Sequence, residues 1–90
     1  MTSTFTGNRT VVPVVDPMSP TPLYVQLANL LEAQIKAGKL RPGDLLPSEK
    51  QLVQEYGVAR GTARRAVELL RERGLVVTIQ ARGTFVAEKG

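Results

Sequence analysis

"GVARGTARRAVELLRERG", residues 57–74, decides the fold. Ala63, Ala66, Val67 and Leu70 lay one apolar stripe along a helix that starts near Ala59 or Arg60, and Gly74 supplies its stop. Immediately upstream, "SEKQ" (48–51) matches a capping box, in which Ser48 and Gln51 satisfy each other's backbone, so a second helix runs from there to Tyr56. Gly57 ends it. Two helices separated by the three-residue turn "GVA" form a helix-turn-helix, for which a glycine in the turn is the expected punctuation. Downstream, "LVVTIQ" (75–80) and "TFVA" (84–87) alternate like strands, and "ARG" (81–83) joins them as a hairpin.

Further upstream, Thr21 is placed to cap a first helix and Pro22 to occupy its first position. Leu23, Leu27, Leu30, Leu31 and Ile35 form its apolar stripe, and Gly38 ends it. Between the first two helices, Pro42-Gly43 marks a turn and Leu45-Leu46 a short strand before Pro47. The order predicts an α+β fold: a winged helix-turn-helix, with three helices and a C-terminal two-stranded β-hairpin wing. It occupies residues 21–90. Residues 1–20, with three prolines, one arginine, one aspartate and no sustained period, are expected to form a flexible N-terminal arm. The alternatives for that arm are a minor-groove contact led by Arg9, or a strand from "TVVPVV" (10–15) added to a partner. Met18 offers a further possible native start.

The third helix opens against its own electrostatics. Arg60, Arg64 and Arg65 crowd the positive end of the helix dipole, and Arg60 and Arg64 stand i,i+4 apart, where like charges repel by about 0.2–0.5 kcal/mol. Ala59 cannot cap, and Gly61 is a poor helix former. An anionic partner reverses the sign of both charge penalties. The chain has 90 residues, with 12 Lys and Arg against 8 Asp and Glu. Six of those cations (Arg60, Arg64, Arg65, Arg71, Arg73, Arg82) stand between Val58 and Val86 against only Glu68 and Glu72, a surplus equal to the net charge of +4.

The same composition excludes much chemistry. Cysteine and histidine are absent, which removes disulfides, thiolate metal sites and most hydrolytic triads. No catalytic set is visible, and no cofactor or metal is expected. No apolar run approaches the 18 or more residues of a membrane span, and no signal sequence opens the chain, so a cytoplasmic protein without membrane association is expected.

In a helix-turn-helix the N-terminal residues of the second helix reach base edges in the major groove. That geometry nominates Arg60, Gly61, Arg64 and Arg65, with Gly61 permitting close approach of a duplex. The competing reading pairs Arg64 and Arg65 with Glu68 across one helical turn. Arg71 and Arg73, beside the negative end of the dipole, read as structural. Arg82, next to Gly83 at the hairpin tip, suits a narrow minor groove, with a solvated turn as the alternative. Lys50, in the first turn of the second helix, is placed to touch phosphate or to stay solvated.

From Pro22 to about Ala87 the chain resembles the winged-helix DNA-binding domain of the GntR family of bacterial transcription regulators. The motifs are "PLY", "G.L.PGD.LPSE", "GV.R.T.R.A...L...GLV" and "GTFV", in that order. The resemblance implies contacts from Lys50, from Arg60, Thr62 and Arg64, and from the wing around Arg82 and Gly83. Thr62 enters on that ground alone, its hydroxyl or methyl meeting a phosphate or a thymine methyl.

This sequence departs from the family pattern at four points. Ala59 replaces a usual serine, so the third helix is expected to fray in the free protein. Lys50 replaces a frequent arginine, and Ala81 replaces a common wing glycine. The second domain that members normally carry, which binds an effector and supplies the dimer interface, is not expected in this chain. The expected function is therefore a sequence-specific DNA-binding transcription regulator, a repressor on a short palindromic operator. Its partners are double-stranded DNA and a second copy in a weak or DNA-induced homodimer. An architectural DNA binder of a recombination system and a winged-helix protein-interaction module are the alternatives.

Overall fold

A computed structural model of the protein describes residues 15–88. Three helices, α1 (Leu23–Lys36), α2 (Glu49–Tyr56) and α3 (Arg60–Glu72), precede strands β1 (Val76–Ile79) and β2 (Gly83–Val86). The strands pair antiparallel, with Val76 opposite Val86 and Ile79 opposite Gly83. This is the winged helix-turn-helix expected from the sequence.

The third helix organises the core because its stripe is apolar on the side that meets both other helices. Ala63, Ala66 and Leu70 are fully buried, and α3 packs across α1 and α2. Leu27, Ala28 and Leu31 of α1 and Leu52 of α2 close the same core, joined by Leu46 and Val76. Full burial of each leucine contributes about 1.5–3 kcal/mol. Small alanines on α3 let the helices approach, so the core is thin but continuous. Among the described residues, no polar or charged residue is buried.

The second helix starts on the expected capping box: Ser48 Oγ accepts from Gln51 N–H at 3.1 Å, and Gln51 Oε1 accepts from Ser48 N–H at 2.8 Å. It ends at Gly57, whose left-handed φ of 67° lets its N–H reach Val53 O at 2.9 Å. Val58, 5% exposed, then anchors the turn in the core before Ala59 opens α3. That turn sets the angle between the two helices, and so the direction in which Arg60 and Arg64 leave the surface.

The first helix begins differently from the expectation. Pro22 stands one place earlier, at the N-cap with an extended ψ of 145°, and no side chain caps the helix. Gln26 instead ties the preceding segment to the helix, its amide Nε2 donating to Thr21 O at 2.7 Å and Asp16 O at 2.9 Å. Residues 16–19 thereby form a turn bonded to α1, and Val15 packs against the core. Residues 1–14, which hold most of the expected arm, including Arg9 and nearly all of "TVVPVV", lie outside the described residues.

The segment after Pro42-Gly43 forms less strand than expected. Leu45 makes a single bridge to Phe85, supported by Gly43 N–H to Val86 O, Val86 N–H to Asp44 O and Leu46 N–H to Thr84 O at 2.7–2.9 Å. Pro47 has no N–H to extend the ladder, and the chain leaves it to enter α2. The wing's second strand begins at Gly83, one residue earlier than the sequence suggested, because the hairpin closes with Arg82 N–H on Ile79 O. Gly83 meets Leu45 closely: a Cβ there would stand 3.0 Å from the Leu45 Cδ1.

Candidate nucleic-acid interface

Two basic concavities flank the exposed side of α3. One is a cleft of about 480 Å³ between α3, the start of α2 and the wing; its walls include Arg64, Arg71 and Arg82, together with Ser48, Glu49 and Gly83. The other, of about 440 Å³, lies between α2 and the start of α3, where Lys50 and Arg60 meet over Val53 and Gln54. The helix-turn-helix and the wing thus gather five cations from three elements around these two concavities.

The expected site residues divide accordingly. Arg64, Arg82 and Gly83 share the cleft, and Lys50 and Arg60 share the groove. Gly61 is exposed and Thr62 half-buried in the first turn of α3. A Cβ added at Gly61 would meet nothing within 4 Å, so nothing in the described fold asks for a glycine there. Ala59 occupies the N-cap with suitable extended backbone (φ −69°, ψ 156°) but makes no side-chain cap.

Arg65 is held apart from the others. Its guanidinium lies 4.7 Å from the Tyr24 ring centroid, over α1, and reaches Glu68 at 3.6 Å and Glu72 at 4.0 Å. Tyr24, and after it these carboxylates, raise its pKa above the ordinary arginine value. The pairing weighed for Arg65 at the sequence level is therefore present. For Arg64 it is not: its Nε stands 3.5 Å from Glu49 Oε2, on the neighbouring helix.

The late arginines hold structural contacts. Arg73 donates to Asn29 Oδ1 (2.9 Å) and Glu32 Oε1 (2.8 Å) on α1. Arg71 donates to Thr78 Oγ1 on the wing at 2.9 Å, and Thr78 Oγ1 lies 3.0 Å from Thr84 Oγ1. Yet Arg71 also lines the cleft, a second position that sequence reasoning missed. The signal was available, since Arg71 follows Arg64 by seven residues, two turns along the same face. Glu49 was missed for a better reason, because no helical spacing connects it to Arg64.

The wing tip carries strain where the resemblance marked a departure. Ala81 adopts φ 67°, the one positive φ on a non-glycine among the described residues. That conformation costs an alanine about 1–2 kcal/mol. Among the described residues, no group of acidic, histidine or cysteine side chains is arranged to hold a metal ion, and no helix is long and apolar enough to cross a membrane.

Comparison with known proteins matches residues 23–86 to the family described as "Bacterial regulatory proteins, gntR family". The mannosyl-D-glycerate transport/metabolism system repressor MngR of Escherichia coli is 44% identical over 72 residues, covering 80% of this chain and 30% of MngR. Among solved structures, YtrA from Sulfolobus acidocaldarius, a GntR-family transcription factor, superposes with a TM-score of 0.80 at 34% identity, covering 89% of this chain and 84% of that one. AraR(DBD) in complex with operator ORX1 gives 0.73 at 38% identity, covering 80% and 89% respectively. The chain spans about 30% of the length of the curated relatives it matches first. With the helix-turn-helix, the hairpin wing and the family motifs all in register, the chain belongs to the gntR family of bacterial regulatory proteins, a family of regulators rather than enzymes.

Proposed function

We propose that this domain, residues 21–90, binds duplex DNA sequence-specifically and acts as a repressor on a short palindromic operator. Two copies meet on the DNA, each with α3 in the major groove and the wing in the minor groove. Arg64 reads guanine, and Lys50, Arg60 and Arg82 neutralise phosphates, with Gly61, Thr62 and Gly83 at the duplex surface. Arg65, stacked on Tyr24, is the least supported of the expected contacts. The observation that carries the reading is the cleft between α3 and the wing: two elements that enter different grooves bring Arg64 and Arg82 to one concavity. The repressor name of MngR and the operator complex of AraR(DBD) support the same direction.

Selection of bound sequences from a random duplex pool tests it, with wild type and Arg64→Ala side by side. The expected outcome is a short inverted repeat in which the variant loses preference at one guanine per half-site. Salt-sensitive binding to every duplex without enrichment would replace the repressor with an architectural DNA binder. A folded protein that binds no duplex would point to a protein-interaction module.

A further inference from the structure

Two acidic residues, Glu49 and Glu68, line the basic cleft, and Glu49 is the one that pairs with an arginine of it across two helices. Glu49 lies in the first turn of α2 and pairs with Arg64 of α3, and among the described residues this is the one ion pair between those helices. Stability does not explain it. The Arg64 and Glu49 side chains are 63% and 35% exposed, and exposed pairs contribute only about 0.2–1 kcal/mol. Toward a polyanion the carboxylate is unfavourable, because it cancels one of the cations that line the cleft.

We propose that Glu49 is a positioning residue for Arg64, lowering affinity for DNA in general while sharpening the choice of base. The inference rests on the DNA-binding reading above. Glu49 engages Arg64 through Nε, at 3.5 Å from Oε2. Among the described residues no other ion pair or hydrogen bond engages the Arg64 side chain, and two parallel N–H donors such as its Nη groups are what guanine O6 and N7 accept in the major groove. The backbone that carries Glu49 is fixed, because the Ser48–Gln51 capping box pins the helix start, and the positive end of the α2 dipole favours a negative charge in its first turn. Released from Glu49, the long Arg64 side chain sweeps between base edges and phosphates. A phosphate contact adds affinity and carries no sequence information.

Glu49→Ala and Glu49→Gln, taken through the same duplex selection and through titration of an unrelated duplex, test the assignment. Glu49→Ala is expected to cut the guanine preference at the Arg64 position by about tenfold. The same variant should bind unrelated duplex about fivefold more tightly at 0.15 M salt, since one opposing charge is gone. Glu49→Gln keeps an oxygen for Nε, so it should gain the affinity and retain most of the preference. Full guanine preference in Glu49→Ala overturns the proposal. So does a loss confined to a different base pair from the one Arg64→Ala affects, which would make Glu49 a direct reader of a cytosine amino group. Wild type without any enriched sequence overturns the underlying DNA-reading model and this inference with it. Unchanged melting temperatures would show that the variants remain folded.

Discussion

Single residues at the head of α3 answer to two demands at once. Gly61 shows the conflict most plainly: it sits in a helix, its added Cβ would meet nothing, and a glycine there gives up helix stability. Gly61→Ala is therefore expected to raise stability by about 0.5–1 kcal/mol, read from the denaturant midpoint. If the duplex approaches this turn as proposed, the same variant binds operator DNA more weakly. A variant both more stable and equally tight in binding would separate Gly61 from the interface. The cations beside it were legible in the sequence as a charge pattern that folding alone does not reward, and Lys50, Arg60, Arg64 and Arg82 all line the two concavities. What the pattern could not disclose was each arginine's partner. Arg64 turns to Glu49 and Arg65 to Tyr24, and both partners come from other helices, at separations no local spacing encodes.

Elements were readable where their ends carry their own chemistry. The capping box, the left-handed Gly57 and the apolar stripe of α3 are local, so α2, the turn and α3 could be bounded from sequence. The start of α1 was not local in that sense, since a glutamine one turn inside the helix bonds the residues before it. Likewise the Leu45 bridge depends on a strand forty residues away. The junction between α1 and α3 gives a prediction at this scale. Lys36, hydrogen-bonded to Glu32, holds the Glu32 carboxyl below its ordinary value of 4.5; burial opposes this as the next-largest influence, and the charges of Lys36 and Arg73 add to the lowering. A carboxyl whose pKa is lower folded than unfolded stabilises the fold fully above its unfolded pKa, and that contribution disappears as pH falls through the folded value. Wild type should therefore lose stability on acidification below about pH 4.5 by up to about 1 kcal/mol more than Glu32→Gln. Melting curves at pH 6 and pH 3 would show it, and parallel losses in both proteins would contradict it.

For the whole molecule the quantity that tests the proposed paired binding is how many phosphates are neutralised together. In the proposed mode, with Arg65 occupied by Tyr24 and Arg64 assigned to a base, Lys50, Arg60 and Arg82 are left to face the backbone in each copy. Six such contacts give a log–log dependence of affinity on salt of about −5, and a single copy about −3. The slope therefore counts subunits. Arg82→Ala should make it shallower by about 2 in the paired mode and by about 1 in the single mode, one contact per copy. Arg65→Ala should leave it nearly unchanged, because that guanidinium is already paired with Glu68 and Glu72 and contributes little to the basic side. A wild-type slope of about −3 or shallower would exclude paired binding. A drop of a full 2 on Arg65→Ala would mean that DNA draws Arg65 away from Tyr24, so that α3 changes its contacts with α1 when it enters the groove.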